Sequence, residues 1–96
     1  MLTASSTVVV AKDQVSCDLG GEAAILGLKK GVYYGLDVVG GRIWSLIQTP
    51  TTVGAVRDAI LQEFDVDAER CEQDLLALLD KLAGENLIEI QDEPMA

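Results

Sequence analysis

The sequence predicts an α+β domain of winged helix-turn-helix type, a three-stranded antiparallel β-meander followed by three α-helices. Short β-branched or aromatic runs are confined to the first third of the chain: "TVVVA", "AAILGL" and "VYYGL". After Asp37 the apolar period changes from alternation to helical spacing and stays helical to residue 85. Strands and helices in separate blocks, not alternating, place the sheet and the helices in packed layers of one α+β unit. At 96 residues the chain makes a single domain with a modest core. We expect residues 1–91 to form it and residues 92–96 to be a disordered tail. This architecture hosts many activities and carries no function by itself.

Thr7 to Ala11 is short and β-branched, hence a strand. "KDQVSCDLGGE" is polar and glycine-bearing, which predicts a loop or ragged strand with a turn at Gly20-Gly21. "AAILGL" and "VYYGL" flank "KKG" as two arms of a hairpin. A two-residue loop sets Tyr34 opposite Gly27 and a three-residue loop sets Tyr33 there, so in both registers a tyrosine covers a strand glycine. Asp37 is a good N-cap for "VVGGRIWSLIQ", in which Val39, Ile43, Trp44 and Ile47 share a face. Gly40 and Gly41 weaken that helix by about 1 kcal/mol each, a cost that points to close contact with another element. Pro50 ends it, and Thr51 or Thr52 caps a second helix with Val53, Val56, Ile60 and Phe64 as its apolar stripe. "DVD" separates this from a third helix over about Asp67 to Glu85, and "NLIEI" is a short final extended segment.

Composition excludes several classes of function. Sixteen acidic residues against seven basic ones give a formal charge of −9, and the cations are scattered. Such a surface repels nucleic acid and anionic membrane, and suits a neutral or basic partner. No apolar stretch reaches the ~20 residues of a membrane span, and the first ten residues lack the basic flank of a signal peptide, so a cytoplasmic location is expected. Cys17 and Cys71 then read as packing residues and not a disulfide. Without histidine the chain lacks the commonest general base and metal ligand. Its glycine pairs make no phosphate loop, and Asp65-Val66-Asp67 reads as a loop with a helix cap, not a metal dyad. The expectation is a non-enzyme with no catalytic residue, metal or cofactor.

Two features point to binding. With the two-residue loop, Val32, Tyr34 and Leu36 share a hairpin face with Ile25, while Tyr33 joins Leu26 and Leu28 on the other. A sheet with one solvated face alternates apolar with polar, and this hairpin does not. In the third helix, Cys71, Leu75, Leu78 and Leu82 form a core stripe, and Leu76, Leu79 and Ala83 form a second. One stripe packs inward; the other is either buried by the domain itself or lines a cleft against the hairpin.

The ordered set Leu36-Asp37, Ile43-Trp44, Thr52 to Phe64-Asp65-Val66, and Leu75 to Ile88 resembles the PqqD-like family, the precursor-peptide recognition element of ribosomal peptide biosynthesis. The likeness extends over about residues 5–91. Asn86 stands where the family often has glycine, and asparagine tolerates the same left-handed backbone. The resemblance implies a small non-catalytic domain that binds a precursor's leader region as an added strand. It is nearest to the free-standing leader-binding protein of lasso-peptide biosynthesis, which serves a separate cysteine-protease leader peptidase. The alternative within the family is a chaperone for a radical-SAM peptide-modifying enzyme; a winged-helix DNA binder shares the fold but not the charge. On this reading Val32, Tyr33, Tyr34, Gly35 and Leu36 carry backbone pairing and one groove wall. Leu75, Leu76 and Leu79 form the other, with Glu72 and Asp74 placed to attract a basic guest residue. A monomer or weak dimer is expected.

Overall fold

In a computed structural model the chain is described over residues 2–12, 14–29 and 31–91. The expected tail at 92–96 lies outside the described residues. Nine elements follow in order: β1 (Thr7–Val10), β2 (Gln14–Leu19), β3 (Glu22–Gly27), β4 (Val32–Leu36), α1 (Val38–Leu46), β5 (Thr51–Thr52), α2 (Val53–Glu63), α3 (Ala68–Gly84) and β6 (Ile88–Gln91). The α+β class and the meander followed by three helices are as expected.

The meander is built from β2, β3 and β4, not from the first strand. The stretch read as ragged is a full strand, pairing Gln14 with Gly27 through to Leu19 with Glu22. Gly20 and Gly21 turn it into β3 with φ of 76° and 102°, a conformation open to glycine. Thr7–Val10 instead joins a second antiparallel sheet, in the order β5-β1-β6. Its partners come from beyond Pro50, so no local pattern announces them.

The hairpin register differs from both alternatives. Gly27 lies opposite Val32, Leu26 opposite Tyr33, and Ile25 opposite Tyr34, so the hairpin closes between Gly27 and Val32. Gly31, at φ 68°, donates its N–H to the Gly27 carbonyl at 2.8 Å to close it. No tyrosine faces a strand glycine. Gly27 is covered from the other layer: a Cβ there would stand 3.1 Å from Leu87 Cδ2. The face assignment made for the two-residue loop nevertheless holds, because the observed loop is also even in length and keeps the same parity. Ile25 is fully buried, with Val32, Tyr34 and Leu36 half-buried on its side, while Tyr33 is 65% exposed on the other.

Each helix opens on a side-chain cap. Asp37 Oδ1 accepts from the Gly40 N–H at 2.8 Å, Thr52 Oγ1 from Ala55 at 3.1 Å, and Asp67 Oδ2 from Arg70 at 3.0 Å. Such caps satisfy amides that the first helical turn leaves unpaired, each contributing about 1 kcal/mol. The first turn of α2 is also held by the N-terminal segment, whose Ser6 and Ala4 carbonyls accept from Val53 and Gly54. Asn86 ends α3 at φ 60°, the left-handed conformation expected of it.

The core lies between the β2-β3-β4 sheet and the helices. Ile25, Ile43, Ile47, Val53, Val56, Ile60, Leu75, Leu79, Leu82 and Leu87 fill it, joined by Val8 and Ile88 from the second sheet. Trp44 is buried, and its indole N–H is satisfied by Ser16 Oγ at 3.0 Å, tying α1 to β2. Gly41 makes the close approach that its cost implied. A Cβ at this position would stand 2.5 Å from the Gly21 carbonyl oxygen and 3.3 Å from the Glu22 carbonyl carbon. The helix therefore rests directly on the β2–β3 turn.

Candidate functional site

Among the described residues no strand pairs with the outer edge of β4 in the order β2-β3-β4, so that edge is open to pairing. Beside the C-terminal half of β4 a cavity of about 750 Å³ lies between that strand, α1 and α3. Leu36, Val39, Ile43, Ile60, Leu75 and Leu78 make it apolar, and Asp37, Asp67, Arg70 and Asp74 stand at its polar margin. Two of those carboxylates are the caps of α1 and α3, so both helix N-termini border the same space. Arg70 Nε approaches Asp74 at 3.8 Å, with both side chains more than 70% exposed, which makes it a weak surface pair.

The structure separates the residues expected to form the site. Gly35, Leu36, Asp74 and Leu75 border the cavity together. Tyr33 lies beyond it on the outer sheet face, and Val32 and Tyr34 sit at the other end of the strand around a small recess. Leu79 is 0% exposed in the core and can touch no guest. Glu72 points to α2, where Arg57 Nη1 donates to its Oε1 at 3.0 Å. Leu76, on that same flank of α3, packs against the core and does not border this cavity. The two leucine stripes were divided at the wrong place. Cys71, Leu75, Leu79 and Leu82 are the buried row, and Leu78 turns outward to the cavity. On the helical wheel Leu78 and Leu79 straddle the row centre by similar angles, so spacing alone does not choose between them.

The other contributors come from outside the expected set: Val39 and Ile43 of α1, Ile60 of α2 and Val66 from the loop before α3. Their types read as core stripes in sequence. Only packing shows that part of each stripe is left uncovered. Cys71 also borders the cavity; burial, then the Asp74 charge, raises its thiol pKa, which keeps it protonated and unreactive. Cys17, by contrast, is free and exposed on the outer sheet face, so it is not a packing residue.

At the far end of the strand Tyr34 bridges β4 and α3. Lys81 Nζ lies 5.7 Å above its ring. Partial burial, then the influence of the neighbouring Glu85 carboxylate, raise the phenol above its ordinary range. The cation over the ring contributes about 0.5–1 kcal/mol at such a site.

Outside this region, Val15, Leu19, Leu26, Leu28 and Tyr33 are exposed on or beside the outer face of the meander, so the second apolar face of the hairpin is uncovered. Among the described residues no group of acidic or cysteine side chains is arranged to hold a metal, and Asp67 serves as a helix cap. No described helix is long and apolar enough to cross a membrane.

The family of coenzyme PQQ synthesis protein D (PqqD) matches residues 22–88, from β3 to the start of β6. The chain belongs to the PqqD family. Among solved structures it is similar to TbiB1 in complex with the TbiA(beta) leader peptide, with 38% sequence identity and a TM-score of 0.78. That match covers 84% of this chain and 94% of TbiB1. No relative was found among curated protein sequences. The PqqD-family match spans both the open edge of β4 and the whole of α3, the two sides of the cavity.

Proposed function

We propose that this chain is a non-catalytic binding protein for the leader region of a ribosomally made precursor peptide, acting in lasso-peptide biosynthesis. The observation that carries the reading is the adjacency of an unpaired strand edge and an apolar cavity, with Gly35 and Leu36 belonging to both. TbiB1, of the same fold and 38% identical, is seen with a leader peptide. An extended guest adding to β4 gains about four backbone hydrogen bonds of roughly 1 kcal/mol net each. Association and ordering cost about 4–15 kcal/mol, so backbone pairing alone does not hold a guest. Apolar side chains buried in the cavity add about 1.5–3 kcal/mol each and decide affinity. Gly35 has open space where a side chain would stand, which leaves the guest backbone free to approach.

The chain then serves as a carrier, presenting the bound leader to a separate cysteine-protease leader peptidase in the cytoplasm. The family's name also supports a second reading, in which the same groove serves a radical-SAM enzyme of cofactor-peptide assembly. The charge of −9 argues against the DNA-binding use of this fold. A precursor, a cysteine protease and an asparagine-synthetase-like cyclase encoded beside this chain favour the lasso reading; a radical-SAM enzyme there favours the other.

The binding test is a titration of labelled leader peptide from the neighbouring precursor gene. Leu78→Asp, in the cavity wall, should weaken binding at least tenfold. Val15→Asp, on the outer sheet face, should leave it unchanged. Full affinity in folded Leu78→Asp refutes the groove.

A further inference from the structure

The space between β4 and α3 is not one continuous groove. Beside Gly35 and Leu36 it opens into the 750 Å³ cavity, bordered on α3 by Arg70, Cys71, Asp74, Leu75 and Leu78. Beside Val32 it shrinks to a recess of about 20 Å³ bordered by Gly27, Asn86 and Leu87. Tyr34 stands at the boundary, bordering the recess but not the cavity. It is held from two directions, by pairing opposite the buried Ile25 and by Lys81 above its ring, and Glu85 borders the same recess. A half-buried side chain pinned on both the strand and the helix has little freedom to move aside for a guest.

We propose that Tyr34 is a specificity-determining block that divides the groove, so that a guest strand can place a bulky side chain only beside Leu36 and is limited to small ones beside Tyr34 and Val32. This rests on the peptide-groove reading above and adds to it a rule for which peptides fit. Cross-strand neighbours share a face, so guest residues beside Leu36, Tyr34 and Val32 all point toward α3. The first of these meets the open cavity and accepts a bulky apolar side chain. The residues two and four positions along meet Tyr34 and the closed recess, and must be small or turn away. The permitted guest therefore carries one bulky apolar anchor at one end of its paired stretch, with no large side chain at the next two groove-facing positions. Tyr34 itself acts as a positioning residue: it sets where the guest's anchor lies instead of supplying the pocket.

The rule is tested by selecting a phage-displayed random peptide library on immobilised wild-type chain, on Tyr34→Ala and on Leu78→Asp. The wild type should enrich peptides with a single bulky apolar anchor and small or polar residues two and four positions away. Tyr34→Ala should enrich a second bulky apolar residue two positions from the first. A synthetic peptide with that pair should bind Tyr34→Ala at least tenfold more tightly than wild type. An unchanged pattern on Tyr34→Ala, or a bulky pair already selected by wild type, overturns the block while leaving the groove standing. Equal enrichment on wild type and Leu78→Asp removes the groove and the block together. Should Tyr34→Ala fail to melt cooperatively, Tyr34→Phe combined with Lys81→Ala removes the hydroxyl and the cation above the ring while keeping the ring. It should admit the paired peptide about threefold better than wild type, and no gain there also overturns the block.

Discussion

Replacing Gly41 with alanine sets two effects of opposite sign against each other. In an exposed helix interior the change favours the helix by about 1 kcal/mol, because alanine restricts the unfolded chain. Gly41 is not exposed in that sense. Its added Cβ would lie 2.5 Å from the Gly21 carbonyl oxygen, 3.3 Å from the Glu22 carbonyl carbon and 3.4 Å from the Ala23 nitrogen. All three are backbone atoms, so no side-chain rotation relieves the overlap and α1 must move off the β2–β3 turn. Overpacking costs about 1–3 kcal/mol, and an overlap with backbone as close as 2.5 Å belongs to the upper part of that range, about 2–3 kcal/mol, so a net loss of roughly 1–2 kcal/mol remains after the propensity gain. For a domain of this size that lowers Tm by about 5–15 °C. Gly84→Ala is the internal control. It lies in α3 at ordinary backbone angles, with nothing within 4 Å of a new Cβ. There the propensity term acts alone, diminished by the nearby helix end, and Tm should rise by a few degrees. Thermal unfolding followed by circular dichroism reads both variants. If Gly41→Ala is as stable as wild type or more so, the close contact does not limit this position and the reasoning fails.

Leu78 and Leu79 should separate stability from binding. Leu79→Ala should cost about 2–5 kcal/mol because it opens a hole in the core, whereas Leu78→Ala should change stability little and weaken leader binding about tenfold. The reverse outcome in melts and titrations would restore Leu79 to the groove wall. The pair between Arg42 and Glu63 predicts a pH effect. Arg42 Nε and Nη2 donate to the two Glu63 oxygens at 2.8 and 3.0 Å, and this hydrogen bonding holds the Glu63 pKa below its ordinary value. A depressed folded-state pKa adds stability above the unfolded-state value and loses it as pH falls through the folded one. The Tm advantage of wild type over Glu63→Gln should thus be full at neutral pH and shrink below the ordinary carboxylate range. An advantage that stays constant down to pH 2 contradicts the assignment.

Local chemistry was legible residue by residue. Asp37, Thr52 and Asp67 have side chains that cap helices wherever the chain places them, and Asn86 tolerates a left-handed backbone without help from its surroundings. Facing was legible only for a loop of even length: strand parity then puts Tyr34 with Ile25 and Tyr33 opposite, whereas a three-residue loop reverses the two. The need for contact at Gly41 followed from the cost of two glycines in one helix. Composition alone set the charge and the lack of histidine.

What the sequence left open is where residues distant in the chain meet. The hairpin register depends on how the chain closes between Gly27 and Val32, and the cover over Gly27 comes from Leu87, sixty positions along. Thr7–Val10 looks like any other strand, and only its partners at Thr51–Thr52 and Ile88–Gln91 put it in a second sheet. Leu78 and Leu79 are chemically the same and adjacent. Which of them fills the core is settled by the angle at which α3 packs on α2 and β6, a property of the packed elements and not of either residue. The cavity beside Leu36 has the same origin: it is the part of several core stripes that the helices fail to cover when they pack.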